Sequence, residues 1–205
     1  MTKPIPRRVP RSTLLALAVL LAGCSGSGAV PVRFYVLEPV LAAPAAPAAK
    51  APPSVLVTGV RLPQYLERPQ MVTRRGAQIE LAEFHQWGGN LRKDMTAALV
   101  RNLAARLGSE RVLAAPHSMR FEPGARVEVE VLRFERDETG TVRLEARWWV
   151  SRGTERALVD ARHGRWASAA LAPADTFDAT VVAMSRVWGE LAAAVAQSLL
   201  EGGAQ

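Results

Sequence analysis

Apolar positions along this chain recur with two periods, and each period predicts an element. Over residues 125–137, Val127, Val129 and Val131 alternate with Glu128 and Glu130, the pattern of a strand with one wet face. The alternation breaks at Leu132 and Arg133 and resumes at Phe134, which predicts a β-bulge. Residues 138–140 (ETG) read as a hairpin turn. Beyond it Val142, Leu144, Ala146, Trp148 and Val150 alternate with Arg143, Glu145 and Arg147, so Trp148 is expected inside and Trp149 outside. A second turn at 152–155 and a third strand over 156–169 complete a meander. Upstream, β-branched residues 54–62 predict a strand bounded by Pro63. Residues 71–75 and 78–84 read as a hairpin about Gly76 and Ala77, and 111–116 as a short strand.

The helical period appears twice. Trp87, Leu91, Met95, Leu99, Leu103 and Leu107 recur at fours and predict one stripe of a long helix closed by Gly108. Phe177, Val181, Met184, Trp188, Leu191, Val195 and Leu199 predict a second, capped by Asp175 or Thr176 and ended by Gly202 and Gly203. Two amphipathic helices and a mostly antiparallel sheet, each with one apolar face, predict an α+β two-layer sandwich with both helices on one side.

The N-terminus has a different organisation. Lys3, Arg7, Arg8 and Arg11 precede an apolar run, Thr13–Ala22, of about ten residues, the layout of a secretory signal and about half of what a membrane span needs. The run ends Leu21-Ala22-Gly23-Cys24, which resembles the bacterial lipobox. The resemblance implies cleavage before Cys24, a diacylglyceryl group on its sulfur and an acyl chain on its amine. Cys24 is the only cysteine, so no disulfide is expected, and the lipid that the resemblance puts on its sulfur implies no thiol nucleophile. Ser25 follows it, which by the sorting habit of enteric lipoproteins implies the outer membrane. The predicted organisation is a signal peptide at 1–23, a lipidated cysteine with tether and Ala/Pro-rich linker at 24–53, and a domain at 54–205. The repeated prolines of 41–53 favour an extended, semi-rigid segment.

Charge changes little. The formal net charge is +7, but the first 23 residues hold four of the 26 basic residues and none of the 19 acidic ones, leaving +3 from Cys24 onward. The remaining bases are interspersed with acids, as in RFERDETG, which reads as a solvated mixed surface and not a nucleic-acid footprint. His85, His117 and His163 lie far apart with no metal-ligand spacing. There is no nucleophile elbow, P-loop or dinucleotide fingerprint. Gly88-Gly89 precedes a helix and is read as an irregular entry, not an anion cradle. No cofactor is expected beyond the lipid on Cys24, and no catalytic residue is assigned.

Several pieces together resemble the ABC-type transport auxiliary lipoproteins, the PqiC-like family. They are the lipobox; Phe34-Tyr35-Val36-Leu37 as an early strand; and a block made of Val60, Leu62, Pro63, Tyr65, Leu66, Arg68, Pro69, Gln70, Met71, Val72 and Arg74. A helix opened by Trp87, the strand holding Trp148 and the final VWGELAAAVAQSL segment complete the match. Gly88-Gly89-Asn90 departs from the family's usual helix entry. The resemblance implies a non-enzymatic helper, anchored on the periplasmic side of a Gram-negative outer membrane, for an MCE-domain protein with its permease and ATPase, in lipid transport that supports envelope integrity. A homo-oligomer is compatible with it. The alternative is a periplasmic phospholipid carrier with its cavity between helices and sheet. Tyr65, Arg68, Gln70, Met71, Arg74, Arg75 and Trp149 are the expected partner surface, since Tyr, Trp, Met and Arg are enriched at interfaces. The competing reading puts Tyr65, Leu66 and Met71 in the core and leaves Pro63 and Pro69 to shape the loop.

Overall fold

The computed structural model describes residues 30–40, 54–116, 121–153, 157–172 and 176–201. Eight strands form one sheet: β1 (Arg33–Tyr35), β2 (Val55–Arg61), β3 (Gln70–Arg75), β4 (Gln78–Trp87), β5 (Val112–Ala114), β6 (Ala125–Asp137), β7 (Val142–Arg152) and β8 (Ala157–Ala167). Two helices, α1 (Leu91–Leu107) and α2 (Phe177–Glu201), pack on each other, α1 over β2 and β5 and α2 over β6, β7 and β8. This is the expected α+β sandwich.

The antiparallel ladders are β3 with β4, β6 with β7, and β7 with β8. The others, β1 with β4, β2 with β5 and with β6, and β3 with β6, are parallel. Parallel pairs need a crossover, and α1 supplies the one that brings β5 back beside β2. The register between β6 and β7 shifts between Val131 and Arg133, where the sequence pattern breaks. That extra residue returns Phe134 to the helix side, where its ring lies 6.0 Å from that of Trp188.

The interior is filled by large side chains. Trp188 is fully buried and donates from its indole N–H to the Met95 carbonyl at 3.1 Å, tying α2 to α1. Trp148 is buried and donates to the Ser198 hydroxyl at 3.0 Å. A buried indole needs such an acceptor, because an unmet N–H forfeits its hydration without return. Helix α2 is long and apolar enough to cross a membrane by composition, yet most of it is buried on the sheet as a core helix.

One expectation at an element end changes. Trp87 does not open α1; it ends β4, buried, with its N–H bonded to the Pro69 carbonyl at 2.7 Å. Gly88 then donates to the Tyr35 carbonyl at 2.6 Å, and Asn90 caps the helix by accepting from the Lys93 N–H at 3.1 Å. The apolar run of four-spaced residues crosses a strand end because both flanks face one core. Gly108 closes α1 as expected. At α2, Asp175, Gly202 and Gly203 lie outside the described residues, and the Thr176 carbonyl accepts from the Thr180 N–H.

The strand at 33–35 is part of the sheet, paired in parallel with β4, and Tyr35 and Leu37 are buried. The segment 24–53 therefore contains sheet structure. The chain between Cys24 and the sheet is about eight residues long, and 41–53 joins β1 to β2.

The β6–β7 turn is held by one carboxylate. Asp137 Oδ1 accepts from the Thr139 N–H (3.0 Å), the Thr139 hydroxyl (2.6 Å) and the Thr141 N–H (3.1 Å), and Oδ2 takes the Arg143 Nε–H. Burial alone would raise its pKa. The Thr139 hydroxyl, the Arg143 guanidinium and the two backbone N–H groups outweigh it and hold the carboxyl near 2. A depressed folded-state pKa gives stability that is present above about 4, the unfolded value, and is lost as pH falls toward 2. We expect Asp137→Asn to lower stability at pH 7 and to flatten its dependence between about pH 4 and 2, read by urea unfolding at each pH. An unchanged slope there would show that other groups set the acid limit.

Candidate functional site

The most specific block of sequence, residues 62–75, crosses from β2 to β3. Pro63 enters a single 3-10 turn (Gln64–Leu66), in which the Leu66 N–H bonds the Pro63 carbonyl at 2.9 Å. Leu66 points into the core. Between this crossing and the start of α1 lies an open cleft of about 250 Å³ lined by Leu62, Leu66, Arg68, Leu91 and Arg92, with Arg92 paired to Glu67 on its rim.

The residues singled out from the sequence divide into three groups. Met71 is 1 % exposed and belongs to the core, because β3 turns it inward; it has no surface to offer a partner. Tyr65 and Arg74 are drawn together over Glu135. The Tyr65 hydroxyl donates to Glu135 Oε2 at 2.7 Å, and Arg74 Nε donates to Oε1 at 2.6 Å. The Arg74 guanidinium also sits 5.4 Å from the Tyr65 ring centroid. Arg68, Gln70, Arg75 and Trp149 remain at least partly accessible. Arg75 pairs with Glu80 at 2.8 Å, and the Arg61 guanidinium lies 5.5 Å over the Trp149 ring, which leaves Trp149 half-buried.

Glu135 is the residue that sequence reasoning missed. It is wholly buried, although RFERD reads as solvated charge. After the bulge, Phe134 faces the helices, so its neighbour Glu135 faces the other side of the sheet. There Tyr65, Arg74 and Arg133 (Nε to Oε1 at 2.8 Å) cover it, and the Phe134 N–H adds a fourth bond at 3.1 Å. Two guanidinium groups share one carboxylate. Burial, reinforced by the bond to Glu135 and its charge, pushes the Tyr65 hydroxyl up to about 12, so it stays a donor at any physiological pH. The only local cue was the bulge, since two of the covering residues, Tyr65 and Arg74, lie 70 and 61 positions upstream. The arrangement is a charge-satisfied clamp of the crossing onto β6, with no proton acceptor left free for general-base chemistry.

His85 Nδ1 lies 2.9 Å from the Tyr35 hydroxyl and its ring stacks on Phe177 at 4.1 Å, while His163 Nε2 lies 2.8 Å from Glu145. His117 lies outside the described residues. Among the described residues, no three His, Cys, Asp or Glu side chains gather as metal ligands would.

A mixed eight-stranded sheet under two core helices, with the most distinctive block of sequence spent on a buried ionic clamp, makes an α+β two-layer sandwich. The chain belongs to the family of ABC-type transport auxiliary lipoprotein components, whose model matches residues 35–196. No curated protein matches it in sequence. Among solved structures it is similar to an uncharacterised protein at 20 % identity, with 83 % of this chain and 99 % of the other covered and a TM-score of 0.66. A protein from Xanthomonas campestris is similar at 14 % identity, over 85 % and 95 % of the two chains, with a TM-score of 0.62. At such identities these likenesses speak for the fold alone.

Proposed function

We propose that this chain is a lipid-anchored, non-enzymatic accessory subunit on the periplasmic face of a Gram-negative outer membrane, serving an MCE-type intermembrane lipid transporter with its permease and ATPase. Family membership across residues 35–196, nearly the whole folded unit, carries the reading. The lipobox at Leu21–Cys24 supports it from outside that match. Anchoring raises the local concentration at a partner, so a modest contact suffices. Within the block first singled out, that contact narrows to Arg68, Gln70 and Arg75, together with Trp149, because Met71, Tyr65 and Arg74 are committed inside. The core between helices and sheet is occupied by Trp188, Phe134, Leu99 and Leu144, which favours the accessory role over a carrier with its lipid held there.

The test is purification of the lipidated protein from gently solubilised envelopes. Co-purification of an MCE-domain protein is the expected result, and phospholipid alone would move the assignment to a carrier. Replacing Cys24 with alanine should shift nearly all the protein from the membrane to the soluble periplasmic fraction, since the anchor lies on that one sulfur and the amine beside it. Retention of Cys24→Ala on membranes would remove the lipobox from the argument.

A further inference from the structure

The segment around β1 is apolar on both sides. Tyr35 and Leu37 point into the core, while Val32, Phe34 and Val36 point the other way and remain exposed, Phe34 at 67 % and Val36 at 49 %. The register sets Phe34 beside Gln86 on β4, so Phe84, two residues earlier and 40 % exposed, lies on the same face. The rest of that face is different. Over β6, β7 and β8 it carries ion pairs: Arg61–Glu128 at 2.9 Å, Arg165–Glu145 at 3.0 Å and Arg147–Glu130 at 3.9 Å. A strand that is apolar on both faces reads as one covered on both. One cover, the core, is present in the chain.

We propose that the lipid surface holding the anchor is the other cover, and that Val32, Phe34, Val36 and Phe84 rest on it. The inference depends on the lipidation of Cys24 stated above. Chain length argues for it. Nine residue steps separate Cys24 from Arg33, the start of β1. They span at most about 31 Å, and roughly 16 Å on average for a Gly/Ser-rich tether. A folded unit of this size is about 40 Å across. The tether is thus shorter than the domain is wide, and the β1 edge stays near the bilayer while the far side cannot reach it. Two exposed aromatic and two aliphatic side chains at that edge match the apolar boundary of a headgroup layer, where a ring is well accommodated. Docking there also fixes which way the domain faces, with the far edge strand β8 turned toward the periplasm.

The lipid on Cys24 blocks the only native thiol, so one introduced cysteine becomes the sole labelling site. Nitroxide labels are placed on Phe34→Cys, on Val36→Cys, which keeps both phenylalanines, and on Leu158→Cys, a β8 position 60 % exposed. The lipidated proteins are reconstituted in phosphatidylethanolamine/phosphatidylglycerol vesicles. Co-flotation reads the anchor, and access to oxygen against a water-soluble nickel chelate reads the docking. We expect labels at 34 and 36 to favour oxygen several-fold over the label at 158. Flotation with all three labels equally open to nickel would overturn the docking and leave the anchor standing. Absence of flotation would overturn both. Labels at 34 and 36 that are shielded from both reagents and broadened by their neighbours would overturn the docking in favour of a second copy.

Discussion

Glu135→Ala should lower the unfolding free energy by about 3 kcal/mol, measured by urea denaturation at pH 7. Removing one member of a buried ionic cluster costs about 3–5 kcal/mol, because the partners keep their charge and lose its counterpart. The lower end applies, since Arg74 and Arg133 are partly exposed (23 % and 29 % of each side chain) and turn toward water when released. Tyr65→Phe should cost about 1 kcal/mol, the net worth of one hydrogen bond. The two should not add. In the Glu135→Ala background the Tyr65 hydroxyl has lost its acceptor, so the second substitution should cost much less. Alkali gives an independent readout. The Tyr65 pKa is raised in the folded state, so its contribution is intact below about 10 and is lost as pH rises toward 12. Tyr65→Phe should remove that loss. A Glu135→Ala variant within 0.5 kcal/mol of the parent would show that the crossing is held by Leu66 alone.

The same clamp shows where sequence reading stops. Periodicity sees one neighbour at a time, and it placed β6, β7, α2 and even the bulge at Val131–Arg133, because each burial decision there is made within a single element. It failed at Trp87, where a strand end and a helix share one core and their apolar residues happen to fall four apart. It failed again at Glu135. A carboxylate between two arginines in RFERD is solvated when nothing covers the strand, and what covers it comes from residues 65 and 74 by way of a parallel β3–β6 contact. No local pattern encodes that contact. The block 62–75 was visible as distinctive, but its composition supports two readings. Tyr, Met and Arg favour interfaces, and they also favour a buried aromatic and ionic clamp; the structure divides them residue by residue.

The tether shows the opposite case, in which a short segment takes its meaning from what it pairs with. Ala/Pro-rich residues at 41–53 read as a spacer, and only the resemblance marks residues 34–37 as a strand, because a three-residue strand is too short to show a period. Its pairing depends on Trp87, 52 positions away. Once β1 is in the sheet, the distance from anchor to domain falls by more than half. A long spacer lets a domain search freely. A short one fixes an edge at the bilayer, which is why exposed apolar residues at that edge acquire a meaning that the same residues at β8 would lack.

Gly140→Ala should cost about 2–5 kcal/mol, and the reason is separable into two parts. Gly140 has φ +80°, a conformation that costs other residues about 1–2 kcal/mol. A Cβ there would also lie 2.3 Å from the Leu171 carbonyl oxygen, which is backbone and cannot rotate away. The Leu171 N–H in turn donates to the Gly140 carbonyl at 2.9 Å, and Ser168 and Val142 bond to each other on either side of the same contact. Accommodating the methyl group means lifting residues 168–172, the strap that runs from β8 toward α2, off the β6–β7 turn. Overpacking of this kind adds about 1–3 kcal/mol. Gly76→Ala is the control. It has φ +58° and nothing within 4 Å of the new methyl, so it should show the conformational part alone, about 1 kcal/mol. Equal losses in the two variants would mean that the strap yields freely and that the turn, not the strap, positions α2. A loss at Gly140 at least twice that at Gly76 would place the strap in the cooperative unit and make the β6–β7 turn a fixed point from which the core helix is hung.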